Sequence, residues 1–339
     1  MARNNRIFYA CQAVCIVPTG NAPTASGVVK GLQSVGMSAN FTLDQVFEMG
    51  QLAIYENIED VADIEVTLEK VIDGEPLIYN LASDGECAED IVAASKKRSD
   101  VYLGIYDDGT SNATGVARNV CWNSGMYISS VSYNYSVDAN ATESVTLVGN
   151  DRFWNYDSNY TTETAGSKYL AGLPNKDTGF IGTDTPLSGV VRRVNVDVGS
   201  CEFPSFILRQ AGDLGPGAQG NLHIQSISVS TDFGQENILE LGRFGPYARY
   251  ATFPIEVTSE FEIISTSGDL KSVSGNGPNL GNEDIKIVDE AGTVLDLGSG
   301  GNGKNKLTSI SYSGADTGGG NATVTYSYSN FNVLTVDGG

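Results

Sequence analysis

Basic residues are scarce in this chain, histidine is almost absent, and no apolar run is long. Of 339 residues, 20 are Lys or Arg against 41 Asp or Glu, a formal charge of −21. Such a balance repels phosphate backbones at short range and excludes a conventional nucleic-acid binder. The acids are scattered rather than run together, which excludes a disordered acidic tail. No window offers the ~20 continuous apolar residues of a membrane span. The start, MARNNRIFYACQAVC, lacks the apolar core of a signal peptide. No membrane partner is expected, and the three NAT sequons at Asn112, Asn140 and Asn321 are expected to be turns.

Chemistry-bearing motifs are missing as well. A Ser-His-Asp arrangement would have to use His223, the one histidine, and no GxSxG elbow stands nearby. Walker loops, GxGxxG before a helix and HExxH are absent. The segment GSGGNGKNK (298–306) has the wrong spacing for a phosphate loop, and no Ser or Thr follows Lys304. A glycosidase needs a unique carboxylate pair, whereas the acids here recur at alternate positions of strands. The five cysteines, Cys11, Cys15, Cys87, Cys121 and Cys201, are odd in number and form no CxxC. That argues against a zinc site or a full disulfide framework and for reduced, structural thiols. Cys11 and Cys15 are expected on one strand face, where they cannot easily bridge. No catalytic residue, cofactor or metal site is expected.

What is present is a repeat. QSVGMSANFTLDQVFEMGQLAIY (33–55) aligns without a gap on QSISVSTDFGQENILELGRFGPY (225–247). Gln33/Gln225, Ser34/Ser226, Ser38/Ser230, Phe41/Phe233, Glu48/Glu240, Gly50/Gly242 and Tyr55/Tyr247 coincide. After a one-residue slip, IEVT at 64–67 lies over IEVT at 255–258, and Glu69 over Glu260. Further on, SVSY (130–133) answers SISY (309–312). The chain is therefore read as a duplication, with a first domain over 1–150, a connector or arm over 151–195 and a second domain over 196–339. The second copy is shorter, and the missing part is assigned to CAEDIVAASKKRSD (87–100). That segment is the best helix candidate, with Ile91, Val92 and Ala94 as its apolar face. In the connector, Phe153, Trp154, Tyr156 and Tyr160 need something to pack on.

Most of the rest alternates with period two, one apolar face and one small polar face. The fold class is mainly β: two tandem β-sandwich or half-barrel units with one short helix. In ADIEVTLEK (62–70) and PIEVTSEFE (254–262) the polar face is acidic. One copy has too few strands to close a channel, but several copies in a ring have enough.

The block 30–80 and its repeat at 221–265 resemble the tail tube proteins of long-tailed bacteriophages, of the type with a fused pair of domains. The resemblance implies stacked rings, three chains per ring with pseudo-sixfold symmetry, and one continuous barrel of inner strands through which double-stranded DNA passes without specific binding. It implies a lumen lined by Asp63, Glu65, Thr67, Glu69, Glu256, Thr258, Glu260 and Glu262. The loops 42–58 and 234–250 would contact the neighbouring ring through Phe47, Tyr55, Arg243, Tyr247 and Arg249. Implied partners are further copies of the chain, the genome, a tape-measure protein and a sheath or tail terminator. The implied location is the virion tail, after synthesis in the host cytoplasm. Alternatives are another tube-like tail component, such as a terminator or baseplate protein, and a β-sandwich binding module or adhesin.

Overall fold

The computed structural model describes residues 6–83, 89–106, 117, 119–154, 188–210, 223–265, 277, 280–315, 317 and 319–338. Among them the chain is mainly β with three short α-helices. In chain order the first half holds β1 (Gln12–Pro18), β2 (Leu32–Asn40), β3 (Leu43–Phe47), β4 (Ile54–Glu59), β5 (Asp63–Val71), α1 (Ile78–Ala82), β6 (Glu89–Asp90), α2 (Ile91–Ala94), β7 (Ser99–Ile105), β8 (Asn119–Ser136), β9 (Thr142–Gly149) and β10 (Asp151–Trp154). The second half holds α3 (Ser205–Gln210), β11 (Ile224–Asp232), β12 (Gln235–Ile238), β13 (Ala248–Ala251), β14 (Glu256–Ile264), β15 (Lys286–Val288), β16 (Val294–Asp296), β17 (Lys306–Ser313), β18 (Thr323–Phe331) and β19 (Thr335–Asp337).

The main path of the large sheet runs β2-β5-β9-β8-β11-β14-β18-β17, antiparallel throughout. The second four strands repeat the first four in the same spatial order. Irregularities repeat with them. β2 bulges at Gln33 against Lys70 and Glu69, and β11 bulges at Gln225 against Ile263 and Glu262. β8 bulges at Ser129 against β9, and β17 bulges at Thr308 against β18. Bulges break the ladder at one residue, so they align the copies in space. By that measure Glu69 matches Glu262, Glu65 matches Thr258 and Asp63 matches Glu256. The IEVT of one copy thus lies two residues from the IEVT of the other. A shift of two keeps every side chain on its face.

The apolar positions of the path point to one side. Ile64, Val66 and Leu68 of β5, Val229 of β11, Val257 and Phe261 of β14 and Tyr326 and Tyr328 of β18 are buried in one continuous core that spans both halves. The halves also interlock. β19 pairs with β6, Tyr135 Oη donates to Asp289 Oδ2 at 3.2 Å, and Asn80 Nδ2 donates to the Gly338 carbonyl at 3.2 Å. The described end of the connector is ordered. Val191 N donates to Ile72 O, Ala141 N to Val191 O, and Glu290 N to Asn195 O. Phe153 of β10 lies against Trp122, ring centroids 5.2 Å apart. Tyr156 and Tyr160 lie outside the described residues.

β8 serves two sheets. Its first part pairs with β7 and β10, and its second part with β9 and β11. The change falls at Gly125, whose φ of 65 suits glycine. The buried Asp100 holds this bend, accepting Gly125 N at 2.8 Å and Gly20 N at 3.0 Å.

Two sequence expectations are corrected. In the described part of the 87–100 segment, 89–100, the helix is a single turn, α2, begun by Asp90 accepting from Val92 N, before the chain becomes β7. The second copy has the β15–β16 pairing at the corresponding place. Cys11 ends a 3₁₀ turn and does not share a strand with Cys15. Cys11, Cys15, Cys121 and Cys201 are buried free thiols, and Cys87 lies outside the described residues. Burial pushes the Cys15 and Cys121 thiols up to about 12.

The helix the sequence did not show, α1, is held by a fully buried acid. Glu143 of β9 accepts Ile78 N at 2.6 Å, Tyr79 N at 3.0 Å and Tyr133 Oη at 3.2 Å. The first two are amides of the first helical turn, which no intrahelical carbonyl reaches. Burial raises the Glu143 carboxyl, opposed by the charge of Lys70 and these donors. Glu143→Ala strands all three donors, so it is expected to lower stability by about 3 kcal/mol in urea titration.

Candidate assembly surfaces

The eight residues proposed as lumen-facing come together on one face of the large sheet. Asp63, Glu65, Glu256 and Glu260 are exposed, and Thr67, Glu69, Thr258 and Glu262 are half-buried. The adjoining strands add hydroxyls. Ser34 Oγ donates to Glu69 Oε2 and Ser226 Oγ to Glu262 Oε2, both at 3.3 Å, and Ser327 Oγ donates to Glu260 Oε1 at 3.2 Å. Asp232 of β11 lies on the same face, paired across from Ser130. The result is a wet, anionic carpet of Ser, Thr, Asp and Glu.

Among the described residues the main path of this sheet has two open edges: β2 pairs only with β5, and β17 only with β18. Open edges are usually blunted by charge or proline, but LQSVGMSAN of β2 has neither. The counterparts of these edge strands, β11 and β8, pair with each other inside the chain. Burial records the difference. Tyr133 of β8 is 1% exposed, while its counterpart Tyr312 in β17 is 52% exposed. Ile227 and Val229 are buried, while Val35 and Met37 are only partly so.

The stagger across the sheet is also defined. Paired residues lead from Ser34 to Glu69, Ser144, Ser132 and then Ser230. The counterpart of Ser34 is Ser226, so four strands accumulate a shear of four residues. With about 3.3 Å per residue and about 4.8 Å between strands, strands in such a sheet tilt by about 35°, at the edge of the range of closed barrels.

Two hairpins, β3–β4 and β12–β13, extend beyond the sheet in the same register over four pairs, and the first adds Phe47–Ile54 past a bulge. Phe47 and Tyr55 on the first and Arg243 and Tyr247 on the second are exposed, as an outward contact requires. Arg249, expected among them, is instead folded back into the body. It is 8% exposed and donates through Nη2 to Asp63 Oδ1 at 3.0 Å and to Asn150 Oδ1 at 3.4 Å. Asp63 therefore carries a cationic partner at the margin of the acidic face. The most exposed apolar tips were not singled out from the sequence: Met49, Leu52 and Leu241. Their signal was the matched Met49/Leu241 pair, each followed by a glycine of positive φ, Gly50 and Gly242.

Elsewhere, His223 lines a cleft of about 270 Å³ with Arg192, Arg193 and Phe203. Among the described residues no group of His, Cys, Asp and Glu could hold a metal ion, and no helix is long and apolar enough to cross a membrane.

No family model matches the chain, and no curated protein matches it. Among solved structures it is similar to the tube-terminating cap of an anti-feeding prophage. The identity is 12%, the match covers 45% of this chain and 93% of that one, and the TM-score is 0.31. A likeness this slight assigns neither fold nor function.

Removing the Arg249 contact is expected to free the root of the second hairpin. With Asp63 largely solvated, the pair contributes about 1 kcal/mol. Arg249→Ala should therefore speed amide exchange of Glu236 and Asn237 about fivefold, with no change in the β3–β4 hairpin, as read by hydrogen-exchange mass spectrometry.

Proposed function

We propose that this chain is a structural subunit of a phage tail tube. Copies join head to tail into a ring, the rings stack, and the acidic sheet face lines a channel through which double-stranded DNA passes. The observation that carries this reading is the strand order, with its two open edges. Inside the chain, the last strand of one copy pairs with the first strand of the next. The path then ends in the same two strand types, β2 and β17, each with one edge open among the described residues. What supports the reading is this order and not the distant likeness to a tube cap.

Joining β17 of one chain to β2 of another repeats the β8·β11 ladder. It places Ser311 opposite Ser38 and Tyr312 opposite Met37, and it covers the apolar side chains left half-exposed at both edges. Such a head-to-tail contact makes a ring when its rotation closes. Three chains, with eight path strands each, give a circumference of about 140 Å and about 45 Å between opposite backbones. Past about 16 strands a barrel holds an aqueous channel. Duplex DNA carries one negative charge per ~1.7 Å of axis. An acidic wall holds it off over roughly a Debye length, about 8 Å at physiological salt, so it slides rather than sticks. The hairpin tips, with Phe47, Tyr55, Arg243 and Tyr247, face the next ring. Further partners on this reading are a tape-measure protein and a sheath or tail terminator, and the chain belongs to the virion.

Two experiments test it. Ser38→Cys with Ser311→Cys is expected to cross-link chains on oxidation into a ladder that ends at a closed trimer, since paired strands bring Cα atoms within disulfide range. Exclusively monomeric product at high concentration, with no rings or tubes by electron microscopy, would sink the proposal. Second, a cysteine at Glu65 in stacked tubes should react with a small maleimide and much more slowly with a bulky polymer-linked one. Equal reaction with both places that face outside.

A further inference from the structure

The two hairpins are one element in two surroundings. Gln45 faces Asn57 in the first where Asn237 faces Arg249 in the second. The second hairpin lies on the strand ends of the first copy. Gln235 Nε2 donates to Ile128 O at 3.0 Å, Ala251 packs on the core, and Arg249 is held by Asp63 and Asn150. The strands of the first hairpin are exposed at every residue. The counterparts of Asp63 and Asn150 are Glu256 and Phe331, across the sheet from β2. Both are exposed, Phe331 by 53%.

We infer that the root of the β3–β4 hairpin, around Asn57, is a docking surface for a second copy of this chain and seats on that copy's Glu256 and Phe331. The inference rests on the head-to-tail joint proposed above and supplies its side chains. Inside the chain, the β8·β11 ladder carries the β12–β13 root over Asp63. The same ladder between β17 and the β2 of the next chain carries Asn57 over Glu256. The chemistry of the seat differs between the two joints. Where Asp63 receives a guanidinium, Glu256 receives a neutral amide, and an aromatic ring replaces Asn150. The hairpin region 42–60 contains Asp44, Glu48, Glu56, Glu59 and Asp60 and no basic residue. The joint between chains thus lacks the cation that the joint within the chain has, and an arginine at position 57 restores it.

The test uses the Ser38→Cys/Ser311→Cys chain and measures the protein concentration that gives half-maximal cross-linking. Adding Asn57→Arg is expected to lower that concentration about tenfold. Adding Glu256→Gln as well should return it to the parent value. Asn57 is exposed, so the arginine fits the isolated chain, and an unchanged urea midpoint for the monomer checks this. If Asn57→Arg produces no shift, or one that survives Glu256→Gln, the seat is wrong, while continued closure of the parent leaves the joint standing. Failure of the parent itself to cross-link removes both.

Discussion

An open strand edge is a row of hydrogen-bonding groups awaiting another strand, and this chain is organised around that constraint. Along the main path it satisfies the constraint internally, in the ladder between β8 and β11, and among the described residues leaves it open at the two ends, β2 and β17. The strand faces, the hairpins and the buried aromatics all take their places from that ladder. Tyr133 lies in the core with its hydroxyl on Glu143, whereas its counterpart Tyr312, on the edge strand β17 and paired with Val324 of β18, is exposed.

The duplication did not produce two independent bodies. The core is continuous across both halves, the small sheet β15-β16-β19-β6 takes strands from each, and Tyr135 of one half bonds to Asp289 of the other. Burial raises the Asp289 carboxyl, partly offset by its bonds to Thr293, Tyr135 and Ala291. A shared core makes the geometry between copies rigid. For the proposed ring, a rigid intrachain joint is a suitable template for the contact between chains, because each error in angle would otherwise grow around such an assembly.

Much of this could be read from the sequence. Period-two alternation located the inner and solvated faces of β2, β5, β11 and β14, while the bulges at the matched Gln33 and Gln225 were not foreseen. Other features left no local trace. The two-residue displacement of β5 against β14 keeps every side chain on its face, so periodicity is blind to it, and the coincidence of IEVT with IEVT pointed to the wrong pairing. Five-residue α1 is too short to show a helical period, and its support comes from Glu143, distant in sequence. The inward turn of Arg249 depends on Asp63, in the other copy. The open edges follow from topology, which no single strand encodes.

The displacement of β5 against β14 has a consequence for a channel wall. Matched levels carry Asp63 with Glu256, then Glu65 with Thr258, then Thr67 with Glu260, then Glu69 with Glu262. The outer levels are acidic in both copies, while at the two middle levels the carboxylate belongs first to one copy and then to the other. Two residues of a strand tilted by about 35° span about 5 Å of axis. In the proposed channel, this divergence between the copies smooths the electrostatic corrugation that a passing polyanion would meet, because no level along this strand lacks charge and none in the middle is acidic in both copies.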